Sequence, residues 1–498
     1  MKLILAASVA LLGVLVWRSL GWPLIHDAPL MHYVAWLITQ GTVPYRDVFD
    51  MNLPGVYLIH LGALAVGGHG DLAWRLFDLG WLASTCVLLF AFCRPMSGGW
   101  AAAGGAALFA LYHLSGGAWR VGQRDFLLCL FLLAGIFGVA RAIERHGALS
   151  PLLVGGLALG AAMTVKPHVG LFWAGCALAV IGAARRQGFP AARAAAAVAG
   201  AALVVPVLVF GWLAWRGGLG PFVDILTGYV LPLYSRVGRT PAWMALRWYE
   251  YGWQLWLLFA GLAALAVLSR AREGFAARKG LAVMGAVYGG LHFWLQGKGW
   301  EYQLYPLALF LCALAPLAAV GAPGASHVRP LAFELRRSAP LVLWAGLVLV
   351  LGVKGAHALD APWIAEKAHR VAAVTSDLRH LLPPRGGGPG PTVQVMDVTE
   401  GGIHALFELG LREPTRFLYD FHFFHDEGDP RIRALRAEFA RALETGQPAA
   451  IVVFRDTWNR PGYDRLSDFP QVRRLLEDSY RLAVEGDGYR IYAKRNRS

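Results

Sequence analysis

Charge is what this chain has least of. Of 498 residues only 16% are Asp, Glu, Lys or Arg, where soluble proteins carry about a quarter. With 56% hydrophobic residues and a mean hydropathy of +0.47, that shortfall excludes an ordinary soluble globule and points to an integral membrane protein. Cysteine is scarce as well. Cys86, Cys93, Cys129, Cys176 and Cys312 lie in or at the ends of apolar segments, and none falls in the polar C-terminal part. Such placement implies neither a disulfide framework nor a cysteine-based metal site. No Walker A motif is present, which argues against an ATP-driven transporter. No internal repeat is evident, and no sizeable cytoplasmic domain is left to bind a nucleotide sugar. The 46 basic residues outnumber the 32 acidic ones, for a net charge of +14, yet they form no basic run interleaved with aromatics. A nucleic-acid partner is therefore not expected.

Apolar segments fill most of the sequence. Their spacing predicts about eleven spanning helices, near 3–17, 72–93, 100–118, 126–142, 150–165, 168–184, 194–215, 246–268, 280–295, 303–320 and 340–357. Nineteen tryptophans suit that many helix ends at a lipid–water boundary. The first segment imitates a signal peptide but is read as an uncleaved anchor. The run 54–68 is apolar, short and interrupted by His60, and charge decides its fate. If it does not cross, one side collects Lys2, Arg94, Arg141, Arg145, Arg185, Arg186, Arg193, Arg270, Arg272, Arg278, Lys279, Arg329, Arg336 and Arg337. The positive-inside rule then makes the amino end cytoplasmic.

That topology sends loops 18–71, 119–125, 166–167, 216–245 and 296–302 to the other face, together with the tail from about 360. The expected fold is mainly α, a polytopic transmembrane bundle over 1–358, followed by a small extracytoplasmic α/β domain over 359–498. In the tail, Pro383 to Pro391 reads as a linker. Short β-like runs fall at Thr392 to Met396, Arg416 to Phe421, Ala450 to Phe454 and Tyr489 to Ala493. Helical patterns fall at Ile403 to Leu409, Arg431 to Glu444 and Val472 to Tyr480. A cluster of His422, His425, Asp426, Glu427 and Asp429 reads as a solvated loop, without the spacing of a metal site.

The first external loop is the most organised stretch. Leu30, Tyr33, Val34, Leu37 and Ile38 repeat at helical spacing, predicting a short amphipathic helix along the membrane surface. Asp27 stands where an N-cap belongs, Pro29 in the first turn, and Gly41 at the stop. Arg46, Asp47 and Asp50 follow. One transmembrane helix, an acidic residue, this helix, Gly-x-x-Pro-Tyr-Arg-Asp (Gly41 to Asp47) and Asn-x-Pro-Gly (Asn52 to Gly55) come in that order. The series resembles the first extracytoplasmic loop of GT-C glycosyltransferases, the group of the protein O-mannosyltransferases and the lipid A aminoarabinose transferase. The resemblance extends over about residues 1 to 320.

What it implies is a multi-pass glycosyltransferase of the bacterial inner membrane, with a cytoplasmic amino end and a periplasmic tail. Its donor would be a polyprenyl-phosphate-linked sugar, its neighbours membrane lipids, and its acceptor a glycan, lipid or protein, glycosylated with inversion. Asp27 matches the essential acidic residue and would be the general base, a role compatible with capping. Asp125 matches a second acidic residue; its plain alternative is a pair with Arg124 at a solvated helix end. Asp47 is a further acidic candidate, or else a turn residue. Lys166 lies in a Thr-x-Lys-Pro turn that recurs in bacterial members, and otherwise simply snorkels. Lys298, Tyr302 and Tyr305 match a Lys-x-x-x-Tyr-x-x-x-Pro entry to a late helix, or form an aromatic belt. With Arg46 and Arg124, these would hold the donor phosphate, as fixed cations do where leaving-group charge develops.

Two departures stand out. Asn52-Leu53 precede Pro54 where related chains often carry lysine, and Ala28 follows Asp27 where some members have a second acid. The second weakens a metal-binding version of the loop, so no cofactor is predicted, although a divalent metal is compatible. The rival reading is a transporter or flippase of lipid-linked glycans, with these charges lining a path. A lipid-diphosphate-linked glycan ligase shares much of the same logic.

Overall fold

The computed structural model describes residues 1–250, 252–269, 274–319, 330–359, 361–383, 390–458 and 460–495. Arg270, Arg272, Arg329 and most of the Pro383 to Pro391 linker lie outside the described residues, as do the side chains of Arg336 and Arg337. Among the described residues seven helices are long and apolar enough to cross a membrane: Lys2–Ser19, Asp71–Ser97, Arg124–Glu144, Val169–Gln187, Ala191–Trp215, Glu301–Ala318 and one within Ser338–Leu381. Shorter apolar helices run over Pro54–Gly67, Leu149–Val165, Leu219–Val230 and Trp253–Leu268. This is a multi-pass membrane protein.

The chain divides into two compact units. The first comprises Met1–Trp22, Arg75–Val209 and Gly238–Asp360; the second comprises Pro23–Trp74, Phe210–Val237 and Ala361–Ser498. In the first unit the helix Tyr305–Ala318 is buried at every position. It packs against Ala276–Gln296, Trp253–Leu268, Gly99–Leu114 and Arg124–Glu144. Lipid tails are as apolar as leucine, so association here depends on close approach rather than on the hydrophobic effect. Gly289 makes one such approach possible, since a Cβ there would stand 2.4 Å from the Leu307 backbone.

Three expectations change in this unit. The predicted span 246–268 is broken: one helix runs over Pro241–Glu250 and the next starts at Trp253, after Gly252 at φ +94°. The predicted 100–118 span stops at Leu114 and gives way to a 3-10 turn at Ala118–Arg120. Arg278, counted as a loop cation, is buried instead. Its guanidinium meets Glu144 at 2.5 Å and donates to the carbonyls of Ala91 (3.2 Å) and Phe92 (2.7 Å). A buried cation must have partners, and here they come from two other helices, Arg124–Glu144 and Asp71–Ser97.

The second unit gathers segments far apart in sequence. Its sheet has the order β1 (Val393–Met396), β2 (Ala450–Phe454), β4 (Tyr489–Lys494) and β3 (Tyr480–Gly486), with β1 and β2 parallel and the other pairs antiparallel. Helices Gly402–Leu409, Pro430–Gly446 and Pro470–Ser479 stand where the pattern placed them. Arg416 to Phe421 forms none of these strands, because Phe49 and Phe417 make only an isolated bridge. The helix Asp27–Thr39 departs most from expectation. Rather than exposing a polar face, it is buried at ten of its thirteen positions, packed against Pro54–Gly67 and Gly402–Leu409. Pro54–Gly67 has 14 residues, or about 21 Å of rise at ~1.5 Å per residue, against a hydrocarbon core of about 30 Å.

Candidate functional site

Each unit contributes a cluster. In the second unit, Asp27 opens its helix as the first helical residue, not as the cap; the cap position is His26, at φ 58° and ψ −124° without a side-chain cap bond. That left-handed backbone is costly for a non-glycine residue and turns the chain sharply into the helix. Leu24 to His26 and Pro29–Leu30 line a cleft, faced by Lys367, Val371, Asp397 to Gly401, Ile403 and His404. Within it Lys367 donates to the Thr399 carbonyl at 2.9 Å and pairs with Glu400 at 3.2 Å. Burial, and then the Lys367 charge, push the His26 imidazole well below its ordinary range, keeping it neutral.

Arg46 and Asp47 hold one another. Nε and Nη2 of Arg46 donate to the two carboxylate oxygens, both at 2.8 Å, and Asp47 Oδ2 also accepts from the Val43 amide at 2.8 Å. The Arg46 hydrogen bonds keep the Asp47 carboxyl below the usual range. Both are the exposed side of a tight turn whose Tyr45 sits at φ 69° and donates to the Asn52 carbonyl at 2.5 Å. Asp50 is buried, accepting from the Met51 amide at 2.6 Å, from Asn52, and from the Tyr57 hydroxyl. The pair His422 and His425, read as a solvated loop, is buried as well, with both rings on the Tyr229 hydroxyl at 2.6 and 2.8 Å.

In the first unit the polar side chains meet where helix ends converge. Asp125, in the first turn of Arg124–Glu144, is fully buried. Its Oδ1 accepts from His292 Nε2 at 2.5 Å and from Gln296 Nε2 at 3.0 Å, and Lys166 Nζ lies 3.5 Å from Oδ2. Lys166 donates to Gln296 Oε1 at 2.6 Å, and Gln303 donates to the same oxygen at 3.1 Å. Beyond Gln303, Arg120 reaches Glu301 at 2.6 Å, and Lys354 pairs with Glu301 too. Tyr305 is buried, its hydroxyl 2.7 Å from His113 Nδ1. His113 Nε2 is 2.9 Å from Asp78 Oδ2, which also accepts from Arg75 at 2.5 Å; Asp78 Oδ1 accepts from the Gly122 amide at 3.1 Å.

Asp125 and Lys166 thus come together at the open end of one helical hairpin, Arg124–Glu144 with Leu149–Val165, and Tyr305 joins the adjoining Asp78 set. Lys298 belongs to this unit, in the turn after Ala276–Gln296. Burial, and then the like charge of Arg239, push its ammonium down to about 8. Tyr302 is buried in the Glu301–Leu304 turn, its ring 6.3 Å from that of Trp119. Arg124 lies beside Asp125 at the head of the same helix. Asp27, Arg46 and Asp47 belong to the second unit.

Sequence reasoning missed Asp78, Arg75, His113, His292 and Lys354. A signal for them existed, because ionisable residues inside apolar runs are functional or paired by default. Arg75 and Asp78, three apart, show it most plainly.

Residues 53–212 match the family model described as dolichyl-phosphate-mannose-protein mannosyltransferase. No curated protein matches the chain. Among solved structures it is similar to ArnT from Cupriavidus metallidurans bound to undecaprenyl phosphate, at 14% identity and a TM-score of 0.59 over 99% of this chain and 97% of that one. It is also similar to the Archaeoglobus fulgidus oligosaccharyltransferase in complex with Zn and sulfate, at 11% identity and a TM-score of 0.48 over 91% and 67%. The first likeness fixes the fold; the second is too loose to add to it.

Proposed function

We propose that this chain, a membrane glycosyltransferase with the GT-C fold, moves one sugar from a polyprenyl phosphate to a hydroxyl acceptor outside the cytoplasm, inverting the anomeric centre. Asp27 takes the acceptor proton as the new carbon–oxygen bond forms. The bond from the anomeric carbon to the phosphate oxygen breaks, and the lipid phosphate leaves with the electron pair and one added negative charge. Arg46, Arg124, Lys166 and Lys298 offset that charge; Tyr302 and Tyr305 shape the donor site; Asp47 and Asp125 orient their cationic neighbours. Lys166 and Lys298, placed in advance and largely away from bulk water, need little reorganisation as charge develops.

The observation that carries this reading is the gathering of Arg120, Asp125, Lys166, Glu301 and Lys354 where helix ends of the first unit converge. Charge held this far from water costs stability even when paired, and ionisable groups kept in membrane helices mark functional sites. The finer topology completes the proposal: eleven spans in a bacterial inner membrane, a cytoplasmic amino end, a transmembrane part over 1–358 and a periplasmic domain over 359–498. The acceptor, whether glycan, lipid or protein, presents its hydroxyl to Asp27.

Purified protein supplied with a labelled polyprenyl-phosphate sugar and an envelope extract should release lipid phosphate and label an acceptor. Asp27→Asn should abolish transfer while folding and donor binding persist. Normal transfer by that variant would remove the base assignment. Translocation of the labelled lipid without release would mark a flippase instead.

A further inference from the structure

The loop Lys166-Pro167-His168 is fastened to Ala276–Gln296 at two points, and Asp125 stands between them. Lys166 Nζ donates to Gln296 Oε1 at 2.6 Å; one helical turn earlier, His292 Nδ1 meets His168 Nε2 at 2.7 Å. The same His292 ring places Nε2 2.5 Å from Asp125 Oδ1. A carboxylate only accepts, so Nε2 carries the proton, and the neutral ring accepts at Nδ1 from His168. His292 is fully buried, and the Tyr288 hydroxyl lies 3.3 Å from its Nδ1. Asp125 spends Oδ1 on His292 and Gln296, while Oδ2 faces the Lys166 ammonium at 3.5 Å, beyond good hydrogen-bond length. The ammonium is held by Gln296 and faces Asp125 at ion-pair distance. A phosphate can draw it over without stripping Asp125 of its other donors.

We infer that His292 and His168 are positioning residues for the donor phosphate: they fix Asp125 and the 166–168 loop, and so set where the Lys166 cation waits. The inference rests on the donor assignment above and adds the device that orients its cation. Neither histidine is required to touch the lipid. In metal sites, partners that orient a ligand change affinity by about ten- to a hundredfold when removed; the expectation here is a loss near the lower end, felt through Lys166 alone.

The test is a double-mutant cycle on the full chain in lipid nanodiscs, reading binding of undecaprenyl phosphate without sugar. His292→Ala should weaken binding about tenfold in the native background and not at all beside Lys166→Ala, since residues acting through one partner are not additive. His292→Asn, which can still donate to Asp125, should recover part of the loss. In transfer assays KM for the donor should rise while kcat stays within about threefold, the pattern of lost binding shared by ground and transition states. An equal loss in both backgrounds, or a kcat defect at unchanged KM, would overturn the assignment. Should the native protein bind no undecaprenyl phosphate, this inference and the donor assignment both fall. Should it bind the lipid yet transfer nothing, only the enzymatic reading falls.

Discussion

Lys298 shows how much a single residue's surroundings decide. Its ammonium is pushed down to about 8 by burial and by Arg239, so it is charged below that pH and neutral above it. If it holds the donor phosphate, donor affinity is present below pH 8 and lost as pH rises through that value. Arg239→Ala removes the like charge and should move the falling limb of the KM profile to higher pH. Lys298→Arg, always charged, should flatten the limb. Transfer rates from about pH 6 to 10 would check both, and an unmoved limb in Arg239→Ala would exclude Lys298 as its source. None of this coupling was legible in the sequence. The glycine-framed lysine was visible, but its charged neighbour Arg239 lies 59 positions away in the chain. Asp47 was legible in both its guises, and the turn the structure shows is the plainer one, closed by Arg46 and the Val43 amide.

Among elements, the apolar helices were read well because a run of ~20 apolar residues has few other fates. What local pattern did not carry was interruption and concealment. Gly252 ends the first part of a predicted span in which Arg247 and Glu250 already stood, and Asp27–Thr39 reads as amphipathic only because its second cover, Gly402–Leu409, lies more than 360 residues downstream. The β3 strand was hidden behind a helical pattern read to Tyr480, whereas the helix ends at Ser479 and Tyr480 opens the strand. Close helix packing offers a direct test. Gly289→Val would drive its side chain into the Leu307 backbone, at 2.4 Å even for the first carbon, and should cost about 2–3 kcal/mol of stability. Gly200→Ala, with nothing within 4 Å of the added carbon, should be neutral or gain up to about 1 kcal/mol of helix propensity. Melting temperatures in one detergent, compared across the two variants, decide the matter; equal shifts would mean that the Gly289 contact is not limiting.

For the molecule as a whole, composition revealed a polar tail but not what the tail is joined to. The second unit takes its core from three stretches, 23–74, 210–237 and 361–498. Tyr33 donates to the Leu411 carbonyl at 3.0 Å, the Phe49 amide to the Arg416 carbonyl at 2.6 Å, and Arg431 pairs with Asp224. The helix that begins at Asp27 is therefore covered by residues of the tail, and its burial requires them. A chain ending at residue 360 should keep its apolar helices in the membrane but lose the cover over His32, Tyr33 and Trp36, which meet Phe407 and Leu411 in the full chain. Limited proteolysis should then cut within 23–74, where the full-length protein resists, and transfer should vanish although the carboxylate of Asp27 is still present. Supplying residues 361–498 as a separate polypeptide tests the same dependence from the other side, since renewed protection of 23–74 requires the two pieces to re-form one core. If the truncated chain were as protease-resistant there as the intact protein, the first loop would have a core of its own, and the tail would be an appendage rather than part of the fold that holds the proposed base.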